Sequence, residues 1–140
     1  MSSIPYGSCN VFALRQAARF VSQLYERHLS AVGMTSSQFT LFSVLDQAPG
    51  VTMARMAEIT VMDRTSLVRA IKPLIRDGFL VDKPVSPGAR QKGLWLTAAG
   101  KQKYAAAVPL WEAAQQEYEA LVGKERAALL RTELMSITKT

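Results

Sequence analysis

The fold is decided by residues 52–97, which read TMARMAEITVMDRTSLVRAIKPLIRDGFLVDKPVSPGARQKGLWLT. This stretch predicts two short helices, a stop at Gly78, and two strands around a Pro/Gly tip. The second helix is expected to begin after Asp63, a residue type that caps helix N-termini. Its first turns are polar and basic. This order is typical of a winged helix-turn-helix, in which the second helix enters the major groove of DNA.

Apolar spacing within the stretch predicts which side chains are buried. We expect Met53, Met56, Ala57 and Ile59 to point inward from the first helix, and Leu67, Val68, Ile71, Leu74 and Ile75 from the second. Two strands, 79–84 and 92–96, alternate so that Phe79, Val81, Leu94 and Leu96 face the core. Pro73 predicts a bend in the second half of the second helix, because proline removes one backbone hydrogen bond.

Longer helices are predicted on both sides of the stretch. Residues 11–32 carry apolar side chains at intervals of three and four and end at Gly33. A capping box, Thr35 with Gln38, opens the next helix. Thr97 caps a helix that runs to Val122 with a kink at Pro109, and a last amphipathic helix follows Gly123.

The expected architecture is one domain, 1–140, that is mainly α with a small two- or three-stranded β wing. A winged helix-turn-helix lobe, 35–97, lies between two helical segments, 11–32 and 98–138. These segments overhang a compact core and are expected to serve as dimerisation helices.

The net charge of +6 is concentrated in the middle of the chain. Residues 51–103 contain ten Lys/Arg against four acids, whereas the remainder contains seven of each sign. A basic surface attracts the phosphate backbone of nucleic acids. An ordinary solvated lysine-rich face is the alternative, but the coincidence with a helix-turn-helix pattern favours DNA.

Several function classes are disfavoured by composition. A run of 18 apolar residues and a secretory signal are both missing from the sequence, and its single cysteine suits a reducing cytoplasm. We therefore expect a cytoplasmic, nucleoid-associated bacterial protein. One histidine, His28, makes a metal site improbable and is expected to be an exposed helix residue. The sequence holds no Gly-rich phosphate loop and no nucleophile beside a base, so we expect neither a cofactor nor enzymatic activity.

The chain resembles the MarR family of bacterial transcriptional regulators over nearly its whole length. The resemblance is carried by MTSSQFTLFSVL at 34–45, by TMARMAEITVMDRTSLVRAIKPLIRDGFL at 52–80 and by RQKGLWLTAAGK at 90–101. It implies an obligate homodimer, joined through its N- and C-terminal helices and bound to a pseudo-palindromic operator. Many members are released from DNA by a small, often aromatic and anionic, molecule.

The wing departs from the family pattern. Family wings usually carry an aspartate shortly before the tip arginine, and here Gly88 and Ala89 stand in those places. Arg90 is then less preorganised for a minor groove, where arginine responds to groove width and negative potential. We expect wing binding to be weaker or more salt-sensitive than is usual for the family.

Eight side chains are candidates for DNA contact. They are Arg55, Arg64, Thr65, Ser66, Arg69, Lys72, Arg90 and Lys92. Those in 64–69 form the recognition set, because arginine pairs with guanine O6 and N7 and hydroxyls reach bases or phosphate. Arg55 and Lys72 are assigned to phosphates. The alternative is that Arg64 is merely solvated and that Ser66 only supports the Asp63 cap.

An effector pocket is expected where the dimer helices meet the DNA-binding lobe, as the resemblance implies. Its candidate residues are Phe12, Arg15, Gln16, Arg19, Phe39, Phe42 and Tyr104. Two arginines beside aromatic rings suit an aromatic carboxylate. Alternatively, the phenylalanines are ordinary core and the arginines pair with Glu112 or Glu117.

Two rival functions stay open. A winged helix can dock proteins instead of DNA, with its basic face on an acidic partner. A Cys9-based redox-sensing regulator is the second rival, because one branch of the family senses peroxides with an N-terminal cysteine. The place that matches that cysteine is Val11, and its tyrosine partners fall at Ser36 and Phe39, which argues against redox sensing.

Overall fold

Six α-helices and a two-stranded antiparallel sheet form the protein in the computed structural model, which describes residues 3–139. The elements are α1 (Asn10–Leu29), α2 (Ser36–Gln47), α3 (Met53–Thr60), α4 (Arg64–Arg76), β1 (Leu80–Pro84), β2 (Lys92–Leu96), α5 (Ala98–Val122) and α6 (Lys124–Ile137). This order confirms the winged helix-turn-helix. Of the two or three strands predicted for the wing, two are present, and Val51 adds only a single bridge to Leu94.

The helix starts lie where their capping residues predict. Thr35 and Gln38 form the complete capping box of α2. Side chains of Thr52, Asp63 and Thr97 accept backbone N–H groups at the starts of α3, α4 and α5. Both helices that contain a proline, α4 and α5, continue through it. A bend at each proline stays a prediction.

One face of β1 differs from the sequence prediction. Leu80 pairs with Leu96 and is buried, whereas Phe79 and Val81 are only half-buried. Phe79 still packs against the core, beside Phe42, so its prediction is confirmed together with those for Leu94 and Leu96, whereas the prediction for Val81 is wrong. The reason is the end of α4, where Gly78 (φ 83°) and Phe79 donate to the carbonyls of Ile75 and Leu74. Phe79 therefore belongs to the end of α4, and β1 begins one residue later than predicted. A shift of one residue in the start of a strand exchanges its two faces.

The main core lies between α2, α3, α4, the sheet and the first half of α5. Its largest fully buried side chains are Phe42, Leu29, Leu45, Met56, Leu67, Ile71 and Leu94. Ile59 was expected to join them but is 42% exposed. At 100° per residue it lies about 110° from the centre of the face that Met53, Met56 and Ala57 define.

The outer helices are joined to each other by polar contacts. Glu117 of α5 pairs with Arg27 at 2.9 Å and lies 3.1 Å from the His28 Nε2 atom of α1. His28 is half-buried in this contact, so its prediction as an exposed residue is wrong. The Tyr25 hydroxyl donates to the Gln115 side chain, and burial raises the pKa of Tyr25.

Beyond these contacts, α1 and α6 leave apolar side chains in solvent. Residues 11–20 are all exposed, and only Ala127 is buried on the apolar face predicted for α6, which consists of Ala127, Leu130, Leu134 and Ile137. None of the helices in residues 3–139 is at once long and apolar enough to cross a bilayer.

Candidate nucleic-acid interface

A tight turn between α3 and α4 sets the start of the recognition helix. Val61 adopts a left-handed conformation (φ 54°), and the N–H of Met62 donates to the Ala57 carbonyl at 3.0 Å. Asp63 then accepts the N–H of Ser66 at 2.9 Å and the Ser66 hydroxyl at 2.7 Å. The aspartate cap therefore begins α4 immediately after the turn, with Arg64 as its first residue.

The recognition helix has one buried and one exposed face. Leu67, Ile71 and Leu74 are buried, and at 100° per residue Thr65, Arg69 and Lys72 lie on the opposite side. Every candidate DNA residue, from Arg55 to Lys92, is exposed. The structure therefore groups Thr65, Ser66, Arg69 and Lys72 on one accessible face, while Arg64 turns toward the wing.

Two of the candidates already have partners within the chain. The Ser66 hydroxyl is donated to Asp63, as the capping alternative proposed, so it keeps only its acceptor capacity for DNA. Arg55 pairs with Glu58 at 3.0 Å. Both side chains of this pair are exposed, and such pairs contribute little to stability. Breaking the pair with Glu58 so that Arg55 can bind a phosphate therefore costs little free energy.

The α4 cap predicts a stability change in acid. Hydrogen bonds from the Ser66 hydroxyl and N–H lower the pKa of Asp63 below its ordinary 3.8. Because the folded-state pKa is depressed, the cap stabilises the protein fully above that value and is lost as the pH falls through the folded-state pKa. Asp63→Asn is expected to keep a neutral cap and to flatten the decline in thermal stability below pH 4. Melting curves of wild type, Asp63→Asn and the control Asp46→Asn between pH 3 and 7 measure this, and an Asp63→Asn profile as steep as wild type contradicts it.

The wing tip is a type II turn. The Ala89 N–H donates to the Ser86 carbonyl at 3.0 Å, with Pro87 and Gly88 (φ 77°) at the two central positions. Arg90 follows the turn and is exposed. Within residues 3–139, no carboxylate lies within 4 Å of it to form an ion pair. The expectation of a weakly preorganised wing arginine stays a prediction about binding.

A cleft of about 390 Å³ separates the wing from the starts of α3 and α4. Its charged and amide side chains are Arg64, Asp82, Gln91 and Lys92, beside the first turn of α3. Sequence reasoning missed Asp82 and Gln91 because only the strand register brings them to Arg64. Gly93 forms the floor, where an added Cβ would lie 2.3 Å from the Gly50 carbonyl oxygen.

Of the predicted effector residues, Phe39 and Tyr104 line one cavity together in the described part of the chain. Phe39 stacks on Trp111, with ring centroids 6.0 Å apart, and lies 5.4 Å from the Tyr104 ring. Two cavities, of about 310 and 380 Å³, flank this aromatic cluster and share Phe39, Thr40 and Trp111. Phe42 is core and lines neither cavity, and neither do Phe12, Arg15, Gln16 and Arg19, which are exposed on α1.

Trp111 is the cavity residue that sequence reasoning did not assign. The apolar spacing along α5, at Tyr104, Val108, Trp111, Tyr118 and Val122, predicts one face for Trp111 but does not predict that it pairs with Phe39. The alternative that Arg15 and Arg19 pair with Glu112 or Glu117 is not supported in the described residues, because Glu117 pairs with Arg27 and His28 and none of the ion pairs includes Arg15 or Arg19. Cys9 is half-buried at the residue before α1.

Comparison with known proteins places these features in a family. A model described as MarR family matches residues 32–91. The uncharacterized HTH-type transcriptional regulator YybA of Bacillus subtilis is 29% identical over 87 residues, which span 62% of this chain and 58% of that protein. The Mycobacterium tuberculosis regulator MosR, solved in complex with DNA, is 32% identical with a TM-score of 0.83 and covers 94% of this chain and 95% of its own. The repressor CouR bound to p-coumaroyl-CoA shares the fold, with a TM-score of 0.86 at 22% identity over 99% of this chain and 98% of that one.

Proposed function

Because this chain belongs to the MarR family of DNA-binding transcription regulators, we propose that it represses a promoter by binding a pseudo-palindromic operator as a homodimer. A small aromatic molecule releases it. The observation that carries the proposal is the two-faced α4, which buries Leu67, Ile71 and Leu74 and exposes Thr65, Arg69 and Lys72 beyond the Asp63 cap. Two such helices, about 34–36 Å apart, fit successive major grooves.

Footprinting on genomic fragments with the purified protein tests operator binding. A short protected fragment that survives excess non-specific DNA supports the proposal. Affinity is expected to fall about 10³- to 10⁵-fold between about 50 and 200 mM salt if the dimer makes roughly six to ten phosphate contacts. The absence of any protected fragment, together with a salt-independent complex with an acidic protein, favours the protein-docking alternative.

The homodimer is supported by apolar side chains that stand exposed on α1 and α6. Phe20 is 56% exposed and Leu14 48%, while Leu134 and Ile137 of α6 are 47% and 61% exposed. Extended apolar surface of this kind marks an interaction site. Since both patches lie on the helices outside the DNA-binding lobe, pairing two copies through them leaves both α4 helices accessible.

Leu130→Lys combined with Leu134→Lys is expected to convert the dimer to a monomer at micromolar concentration. Two charges would be buried without partners in the interface, which opposes association. Sedimentation equilibrium measures the mass, with Ile59→Lys, an exposed apolar side chain of α3, as the matched control. A wild-type monomer, or a double variant that stays dimeric, contradicts this interface.

The aromatic cluster supports an aromatic effector. Phe39, Tyr104 and Trp111 line the 380 Å³ cavity together with Thr40 and Ser43. This lining suits a planar ring that carries a hydroxyl group. CouR is described with p-coumaroyl-CoA and NadR with 4-hydroxyphenylacetate, and phenolic acids are therefore the first ligands to test. Arg15 and Arg19 remain in the proposal as partners for a carboxylate, although they line neither cavity of the single chain.

A phenolic acid at about ten times its Kd is expected to raise the Tm by about 3–6 °C and to release operator DNA. Trp111→Ala is expected to abolish the shift because it removes the stacked wall of the cavity, whereas Arg27→Ala, outside the cavity, keeps it. Comparing each acid with its methyl ester reports whether a carboxylate is required. A phenolic-acid screen without any Tm shift, and with operator binding unchanged, contradicts the effector proposal.

A further inference from the structure

We propose that Asp82 limits the affinity of this protein for the DNA backbone by opposing a phosphate at the cleft between the wing and α4. The inference rests on the proposed function, because it requires that α4 and the wing contact one duplex. It adds a residue that acts against binding, whereas the candidate residues described above act in favour of it.

The register of the wing places Asp82 in the cleft. Asp82 stands opposite Leu94 in the β1–β2 pair and is exposed. It lines the 390 Å³ cleft with Arg64, from the first position of α4, and with Lys92, from the start of β2. Among the described residues, it is the one carboxylate in the cleft lining.

Asp82 forms no ion pair with the described residues. The four ion pairs in residues 3–139 involve Glu117, Glu58 and Asp77, and none includes Asp82. Its neighbours Arg64 and Lys92 are likewise absent from those pairs, so their charges remain available to an anion. A duplex held by both α4 and the wing brings its backbone across the cleft between these two elements.

The balance of charge in the cleft decides the effect on binding. Two cations attract a phosphate there, and one carboxylate repels it, so the net attraction is that of about one cation. At a separation of about 7 Å in a solvent-exposed site, one repulsive charge lowers affinity by about three- to seven-fold per half-site. Since phosphate contacts carry no base sequence information, operator and random DNA are weakened equally.

The residue therefore sets how long the protein stays on DNA without changing which sequence it prefers. Weaker attraction to the DNA phosphates speeds dissociation from non-specific DNA. It also lowers the binding free energy that an effector has to overcome at the operator.

The test compares Asp82→Asn, an isosteric change at an exposed site, with Glu112→Gln, an equal change of charge roughly 20 Å along α5 from its first residue. Fluorescence anisotropy measures Kd for the footprinted operator and for a random duplex of the same length, between 50 and 200 mM salt. Asp82→Asn is expected to bind both duplexes about 10- to 50-fold more tightly, with an unchanged ratio between them and a steeper salt dependence. Glu112→Gln is expected to match wild type.

Three results overturn the inference. Unchanged affinity shows that no phosphate approaches Asp82, and weaker binding shows that Asp82 instead orients Arg64. A gain confined to the operator shows that the carboxylate reads a base. A wild-type protein that binds neither duplex is a distinct outcome, which overturns the proposed function and this inference with it.

Discussion

Gly100→Ala is expected to leave little folded protein at 37 °C. An added Cβ would lie 2.1 Å from the carbonyl oxygen of Phe79, which is a backbone atom. That carbonyl accepts the Thr97 N–H at 3.0 Å. The Thr97 hydroxyl donates to the Gly78 carbonyl at 2.6 Å and accepts the Gly100 N–H at 3.0 Å. Because the clashing atom belongs to the backbone, making room requires a shift of this hydrogen-bonded junction, and we expect a loss of about 3 kcal/mol or more in the free energy of unfolding.

The junction matters for function because it joins the end of α4, the root of the wing and the start of α5. Denaturant unfolding followed by circular dichroism measures the loss. Gly7→Ala is the matched control, since a Cβ there meets no atom within 4 Å. A Gly100→Ala protein with a midpoint within experimental error of wild type shows that the backbone at Phe79 relaxes freely, and contradicts the prediction.

Arg69→Ala is expected to weaken operator binding by more than an order of magnitude at physiological salt while leaving the fold intact. Arg69 is exposed on the face of α4 opposite Leu67 and Ile71, and it belongs to none of the ion pairs in the described residues. Loss of a bidentate contact to guanine costs about 1–3 kcal/mol per half-site. A dimer loses two, which corresponds to about 30-fold to 10⁴-fold in Kd.

Arg76→Ala is the control for this prediction. Arg76 lies on the same helix, two turns further along, and its side chain is 73% exposed beside Asp77. Titration of both variants against operator and random DNA separates base reading from phosphate attraction. A lower operator preference in Arg69→Ala alone supports base reading, and equal losses in both variants on both duplexes contradict it.

The local features of the DNA-binding lobe were predictable because they depend on residues close in sequence. Asp63 and Thr97 satisfy N–H groups three residues later, and Gly78 supplies the left-handed conformation that ends α4. Because the two partners of each interaction are only a few residues apart, the same short segment encodes both of them. The helix order, the wing tip and the exposed recognition face follow from them.

The long-range pairings were not predictable by the same reasoning. Alternation alone predicted that Val81 faces the core, but β1 begins only after Phe79, and its register buries Leu80 and leaves Val81 half-buried. His28 gave no sign of its partner, because Glu117 lies 89 residues away on another helix. Which of two distant residues pair depends on how the helices pack, because packing has to satisfy many contacts at the same time.

The sequence by itself determined the class of the protein and the position of α4, the helix that we propose contacts DNA, since periodicity, caps and the local excess of positive charge all act within a few residues. Tertiary structure alone decided the composition of the sites. It brought Asp82 into the cleft with Arg64 and Lys92, stacked Phe39 on Trp111, and left Phe42 and the α1 arginines outside the cavities. The physical reason is that a cavity is defined by the relative placement of whole elements, which the pattern within any one element does not encode.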